Sequence, residues 1–414
     1  MSGDYQVPKG TFDVLPDESR RRARLLEIAA SRLSGAGYGR IETPAFEDTE
    51  LFARGVGNAT EIVRKEMFTF EDQGGRNVTL RPEGTAPICR AYVEHGMHKL
   101  PQPVKLWYSG PYFRYEAPQA GRFRQFAQIG AETIGSDSPL VDAESIVLLR
   151  DLLTDFGVAD VELRLGSLGS PATRAAYREE LAAYLEGHRS ELSNDVQERI
   201  GENPLRAFDS DHEATQEVME SAPRMLDRLD DADAAHFGTV RRLLDDAGVA
   251  YRLDGTLVRG LDYYTRTVFE FTCDRLGAQS GIGGGGHYDG LVEQLGGPST
   301  PGMGWALGLE RVLLALGEAD PGRACDAFIV AVDDASRERA LRIATQLRRA
   351  GLAVDLDLAG RSRKGQMKQA DRSGARYAAF VEEDDSISLR DMDSGEQETV
   401  DEDALPDRLR RQSD

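Results

Sequence analysis

Between Tyr38 and about Glu132 the chain passes through short strand-like runs, among them residues 77–81, 104–109 and 125–129, joined by turns with no regular helix between them. Parallel strands need a crossover of about a dozen residues or more, so strands that follow so closely must pair antiparallel. Strand periodicity returns at residues 266–273, where Phe269, Phe271 and Cys273 alternate with Glu270 and Thr272. The chain therefore predicts an α+β core built on a mostly antiparallel sheet.

Helical segments flank those runs. Residues 17–37 carry Leu25, Leu26, Ala29 and Leu33 at helical spacing, stopped by Gly35 and Gly37, and Arg20, Arg21, Arg22 and Arg24 read as a solvated basic face. A helix is expected over 142–155 and a strand over 161–165. From about 171 to 248 the chain turns helical and acidic, as an inserted module would. A glycine cluster and a helix over 309–316 follow. The last ninety residues read β-α-β-α-β (327–332, 336–350, 352–358, 362–373, 377–381), which predicts a small parallel sheet with right-handed crossovers. The expected domains are 1–170 with 249–320, the insertion 171–248, and 325–414 beyond a linker at Pro321-Gly322.

Composition excludes several classes. The 414 residues are 40% hydrophobic, which fits a globular chain, and no apolar run approaches the ~18–20 residues of a membrane span. No secretory signal is visible, and Cys89, Cys273 and Cys325 are too few and too far apart for a disulfide framework, so a reducing cytoplasm is expected. Asp and Glu number 71 against 50 Lys and Arg, a net charge of −21, and only six of the basic residues are lysine. Such a balance repels polyanions at long range and argues against a general nucleic-acid coat.

Local chemistry says more. Gly281-Ile282-Gly283-Gly284-Gly285-Gly286 satisfies a dinucleotide-binding pattern, but neither the opening helix nor the downstream acid that pattern requires is present. Backbone bared for a small ligand and a glycine-rich hairpin both remain open. His95 and His98 lack further ligands at metal-site spacing. Phe113-Arg114-Tyr115-Glu116, a loop, then Arg122-Phe123-Arg124-Gln125-Phe126 would surround a polyphosphate with guanidinium forks, with an aromatic placed to stack on a base. Taken singly, each of these residues could equally be a cross-strand Arg–Glu pair or a core aromatic.

Together these segments resemble the class II aminoacyl-tRNA synthetases. Residues 113–126 resemble motif 2, Gly37-Tyr38-Gly39-Arg40-Ile41-Glu42-Thr43-Pro44 resembles the dimer-interface motif 1, and residues 302–311, ending in Glu310-Arg311, resemble motif 3. Leu257-Val258-Arg259-Gly260-Leu261-Asp262-Tyr263-Tyr264 and Gly285-Gly286-His287-Tyr288-Asp289-Gly290-Leu291 resemble segments peculiar to the histidyl-tRNA synthetases, as do residues 80–86 and 125–132. The resemblance runs from Lys9 into the terminal domain, where that family carries an anticodon-binding domain.

The resemblance implies a histidine–tRNA ligase. The carboxylate of L-histidine attacks the α-phosphate of ATP, and a terminal ribose hydroxyl of tRNA(His) then takes the histidyl group. It implies Arg114 on the α-phosphate, Arg122 and Arg311 on the distal phosphates, Phe126 and Arg311 around adenine, and Glu116 among the ATP contacts. Arg259 would touch both substrate carboxylate and α-phosphate. Glu83, Thr85 and Gln128 would surround the amino group, and Glu132 and Tyr264 the imidazole, with Tyr263 and Tyr288 lining the pocket. Mg2+ is expected with the nucleotide, and no protein metal ligand is assigned. A homodimer is expected, and no membrane partner.

Gln119 in the motif 2 loop and Arg361, Arg363, Lys364 and Lys368 around one terminal helix are the expected tRNA contacts. Ala117 stands where bacterial members often carry arginine, and His287 replaces the arginine common in its segment. The alternative is the non-catalytic regulatory subunit of ATP phosphoribosyltransferase, a paralogue that lacks the terminal domain and usually the Leu-Val-Arg-Gly segment. Acidity with scarce lysine then reads as adaptation to a salt-rich, halophilic cytoplasm, where surface repulsion is screened and tRNA contacts rely more on shape and bases.

Overall fold

The computed structural model describes residues 5–57, 60, 62–117, 119, 121–277, 280–318, 323–333, 335–382 and 386–410. They form two compact units, Met1–Ala319 and Asp320–Asp414.

The first unit opens with helix α1 (Pro16–Gly35), started by a proline whose fixed φ suits a first turn. Strand β1 (Gly39–Arg40) and strand β2 (Phe46–Asp48) lead to helix α2 (Thr49–Val56). Strands β3 (Phe68–Glu71) and β4 (Asn77–Leu80) precede helix α3 (Thr85–Glu94). Then come the ten-residue strands β5 (Val104–Phe113) and β6 (Gln125–Ile134), a hairpin in unbroken register from Val104 opposite Ile134 to Phe113 opposite Gln125. Helix α4 (Pro139–Asp155), capped by the Ser138 hydroxyl, and strand β7 (Val161–Ser167) follow.

Helices α5 (Pro171–Gly187), α6 (Asn194–Arg199), α7 (Glu213–Glu220) and α8 (Asp231–Asp246) fill the acidic stretch. Strands β8 (Arg252–Leu253), β9 (Thr265–Cys273) and β10 (Gly281–Tyr288), the short helix α9 (Leu291–Gln294), strand β11 (Gly302–Gly308) and helix α10 (Leu309–Leu316) complete the unit.

Eight strands form one sheet in the order β1-β5-β6-β11-β10-β9-β7-β8, in which only the two edge pairs are parallel. Strands β2, β4 and β3 form a separate small antiparallel sheet. The core lies on one face of the large sheet. There Leu25 and Leu33 of α1, Leu149 and Leu153 of α4, Val240 and Leu244 of α8 and Val312 of α10 pack on Ile129, Phe269, Phe271 and Leu307. Each such fully buried side chain contributes about 1.5–3 kcal/mol relative to exposure. Helices α5 to α7 build a second cluster around Tyr177, Leu181, Val196 and Val218.

The glycine run is a central strand, β10, rather than a hairpin turn. The opposite face of the sheet is left to the cavity described below.

The second unit contains strand β12 (Cys325–Ala331), helix α11 (Ser336–Arg349), strand β13 (Val354–Leu356), helix α12 (Arg363–Arg372) and strand β14 (Ala375–Val381). Strands β15 (Ile387–Asp391) and β16 (Gln397–Val400) and helix α13 (Leu405–Arg410) follow. The expected parallel sheet covers only β13, β12 and β14; β15 and β16 add to it antiparallel. Both are short and sit among Asp, Glu, Ser and Gly, so their composition reads as turn although Ile387 and Leu389 alternate inward. Among the described residues no helix is long and apolar enough to cross a membrane.

Candidate active site

The alternation of β6 divides its side chains cleanly. Ala127, Ile129 and Ala131 go to the core, whereas Phe126, Gln128 and Glu132 turn to the other face. There a cavity of about 420 Å³ is lined by the β5–β6 loop, β10, β11 and the start of α10. Arg114, Glu116, Arg122, Phe126, Arg259 and Arg311, expected from sequence around ATP, all line it, as do Glu83, Thr85, Gln128, Tyr263 and Tyr264.

At the arginine end, Glu116 and Glu270 pair with several of the guanidiniums and offset part of their charge. Arg122 Nη1 lies 3.2 Å from one Glu116 oxygen and Arg114 Nη1 3.7 Å from the other. Arg114 Nε donates to the Pro82 carbonyl at 2.9 Å, and its guanidinium sits 5.3 Å from the Phe126 ring centre. Arg311 donates to the Gly281 carbonyl, and burial together with the Arg122 charge lowers its pKa. Arg259 Nη1 donates to Glu270 at 2.9 Å, while its buried Nε has no hydrogen-bond partner.

The opposite end is a pit of buried acids. Glu83 accepts from the Thr85 and Ala86 backbone N–H groups at 2.7 and 2.9 Å, an anion at the N-terminus of α3. The Tyr263 hydroxyl reaches it at 3.4 Å, and burial raises its pKa. Glu132 accepts from Thr85 at 2.8 Å, Tyr108 at 3.1 Å and Tyr288 at 2.9 Å. Burial pushes its pKa up to about 8. The amide oxygen of Gln128 is buried without a partner.

Tyr288, expected along the pocket, does not line the open cavity; it and Glu132 are fully buried one layer beneath it. Tyr108 is the cause: its ring fills the space above Gly84 and Gly130, where a Cβ on either glycine would overlap it. A Cβ on Gly304 would likewise overlap the Glu132 carboxylate.

Arg22 is not part of a solvated face. Its side chain is 13% exposed, and its guanidinium lies 3.0 Å from Glu310, which also accepts from the Ala127 N–H. Sequence reasoning missed Tyr108, Glu270 and Glu310. The alternation of β9 had already put Glu270 on the polar face, but Tyr108 carried no comparable signal.

Gln119 is exposed in the β5–β6 loop, its N–H donating to the Arg122 carbonyl at 3.2 Å. In the second unit Lys364 and Lys368 are exposed four apart on α12, while Arg361 and Arg363 pair with Asp357 at 2.6 Å and Glu382 at 3.3 Å.

This architecture is that of a class II aminoacyl-tRNA synthetase. Residues 10–312 match the family model of histidyl-tRNA synthetase, and residues 326–412 that of the anticodon binding domain. The histidine–tRNA ligase of Rubrobacter xylanophilus is 49% identical over 409 residues, 96% of each chain. That of Streptomyces avermitilis is 46% identical over 405 residues, again 96% of each. The crystal structure of apo S. aureus histidyl-tRNA synthetase superimposes with a TM-score of 0.82 at 38% identity, covering 98% of this chain and 99% of that one. The chain belongs to the histidyl-tRNA synthetase family.

An ATP phosphoribosyltransferase regulatory subunit/histidyl-tRNA synthetase from Bacillus halodurans matches at TM-score 0.66 and 24% identity over 89% of this chain, a likeness of fold alone.

Proposed function

We infer that the chain is a histidine–tRNA ligase in which the arginine end of the cavity handles ATP and the pit of buried acids selects histidine. One observation carries this reading: Arg114, Arg122, Arg259 and Arg311 line the same cavity as Glu83 and Thr85, and Thr85 in turn donates to Glu132 beneath it. The regulatory-subunit alternative is set aside, because the full-length relatives are ligases and the terminal unit matches an anticodon-binding domain.

The reaction needs no nucleophile from the protein. The histidine carboxylate attacks the α-phosphorus of ATP, its oxygen forming the new bond as the bond to pyrophosphate breaks. In-line placement and positive charge at the crowded phosphate supply the catalysis. Arg114 holds the α-phosphate, Arg122 and Arg311 the distal phosphates, and Phe126 and Arg311 flank adenine. Arg259 bridges the attacking carboxylate and the α-phosphate. Fixed guanidinium forks suit this task better than lysine. Glu83, Thr85 and Gln128 take the amino group, with the unpartnered Gln128 oxygen free to accept from it. Glu132, in the layer beneath, and Tyr264 read the imidazole, and Tyr263 and Tyr288 hold the two acids. Recognition built on such hydrogen bonds can reject analogues lacking them by ~10⁴–10⁵. A ribose hydroxyl at the 3′ end of tRNA(His) then displaces AMP.

Mg2+ would enter with the nucleotide. Glu116 and Glu270 line the phosphate side and offer the carboxylate oxygens a hard cation prefers; the ion would offset phosphate charge. The two-residue edge strand β1 lies in the motif 1 segment, which supports pairing of two copies there as a homodimer. Residues 171–248 act as the insertion and 325–414 as the anticodon-binding domain, with Gln119, Arg361, Arg363, Lys364 and Lys368 as tRNA contacts.

The test is ATP–pyrophosphate exchange by the purified chain. Exchange that depends on L-histidine and on no other amino acid is expected; exchange indifferent to histidine would sink the reading.

A further inference from the structure

His287 lies on β10 with its ring fully buried on the face turned away from the cavity. Its Nδ1 is 2.9 Å from Asp142 on α4 and its Nε2 is 3.1 Å from Asp289. An imidazole with a carboxylate at each nitrogen carries a proton on both. Burial lowers its pKa, but the two acids outweigh that and raise it to about 9.

The cluster extends further. The second Asp142 oxygen is 2.9 Å from His236 Nε2 on α8, and Arg266 Nη1 is 3.4 Å from His236 Nδ1. Arg266 Nε and the Thr265 hydroxyl donate to Asp289 at 3.1 and 2.9 Å. Asp142, His236 and His287 are close enough to hold a cation. The Arg266 donor on His236 Nδ1 leaves Nε2 as an N–H given to Asp142, so the lone pairs an ion would need are in use. Two carboxylates, Asp142 and Asp289, face the His287 imidazolium and the Arg266 guanidinium. Removing the His287 proton strands a buried negative charge.

The cluster sits where the chain is irregular. Pairing between β9 and β10 shifts register between Gly286 opposite Val268 and His287 opposite Thr265. Arg266 there adopts φ +45°, a region bulky residues rarely occupy. Tyr263 and Tyr264 end the segment just before this bulge, and Tyr288 adjoins His287 in sequence.

We propose that His287 is a positioning residue for histidine selection: clamped between Asp142 and Asp289 behind the sheet, it fixes the bulge that carries Tyr263, Tyr264 and Tyr288 to the histidine pocket. The proposal rests on assigning that pocket to histidine. The role is local, because Tyr288 and Tyr263 hand their hydroxyls to Glu132 and Glu83, the acids of the histidine end.

The experiment is histidine-dependent ATP–pyrophosphate exchange by the full chain, from neutral pH to beyond the His287 transition, for wild type, His287→Gln and His287→Arg. His287→Gln should raise KM for histidine about tenfold and KM for ATP less than about twofold. Wild-type KM for histidine should climb on the alkaline side more steeply than that of His287→Arg, whose guanidinium keeps its charge. Both share the titrations of the substrate and of Glu132, so the difference reports His287. Should His287→Gln fail to fold, Asp289→Asn removes one jaw of the clamp and carries the same KM split. Superimposable pH profiles, or a lowered melting temperature with both KM values unchanged, overturn the proposal. Wild-type exchange that ignores histidine overturns the pocket assignment, and this proposal with it.

Discussion

Arg259 and Glu270 form a 2.9 Å ion pair in the wall of the cavity, so the guanidinium assigned to the reacting carboxylate and phosphate is aimed by a counter-charge of the protein itself. The Arg164 guanidinium approaches the other Glu270 oxygen at 3.6 Å, so Glu270 is shared between two cations. An arginine held this way needs little reorganisation when charge builds at the α-phosphate.

Arg259→Ala should therefore lower the rate of adenylate formation by about 10²–10³ and change ATP affinity by less than about threefold. Single-turnover kinetics with an ATP titration separate the two. Equal losses in rate and affinity would make Arg259 a binding residue only.

Glu132→Gln should act on both recognition and stability. With its pKa raised to about 8, Glu132 keeps a proton in the folded, empty enzyme that the unfolded chain loses near pH 4.5. Stability must therefore fall as pH rises between those values, by an amount on the order of a few kcal/mol. Glutamine cannot ionise, so the ligand-free variant should melt with wild type near pH 5 and above it beyond pH 8. Its KM for histidine should rise about a hundredfold. Parallel melting curves across that range would show that Glu132 is ionised in the empty pocket.

Gly304→Ala adds one methyl where the Glu132 carboxylate lies. Overpacking of this kind costs about 1–3 kcal/mol, and the displaced carboxylate should raise KM for histidine more than KM for ATP. Denaturant melts and exchange kinetics check the two effects.

Reversing Lys364 and Lys368 to glutamate should lower kcat/KM for tRNA about tenfold and flatten its salt dependence, with exchange unchanged. Aminoacylation over a KCl series measures this. The same series without tRNA reports the acidic surface, where a net charge of −21 should make the melting temperature rise with salt.

What the sequence made legible follows from the range of the forces involved. Phe269, Phe271 and Cys273 could be placed on one face because a strand repeats every two residues. Leu25, Ala29 and Leu33 were placed by the helical period in the same way. The burial of Glu132 and Tyr288 was hidden, because it depends on the Tyr108 ring lying over two glycines from different segments. His287 showed only as an exchange for arginine. Its meaning comes from Asp142, which is 145 positions away in sequence, and no local pattern records such a partner. Strands β15 and β16 were lost because tertiary pairing, not composition, makes them strands.

The close approach of Gly84 and Gly130 to Tyr108, and of Gly304 to Glu132, also bears on how such a pocket can change over evolutionary time. Most pockets drift by trading one side chain for a neighbour of similar size, each step passable. Here the floor offers no side chain to trade. Any first step at these three positions adds bulk against a ring or an acid already in place, and would have to be matched by a second change at Tyr108 or Glu132. A lineage holding this floor is thereby slowed in reshaping it, since a side chain at any of the three glycines must first displace Tyr108 or Glu132.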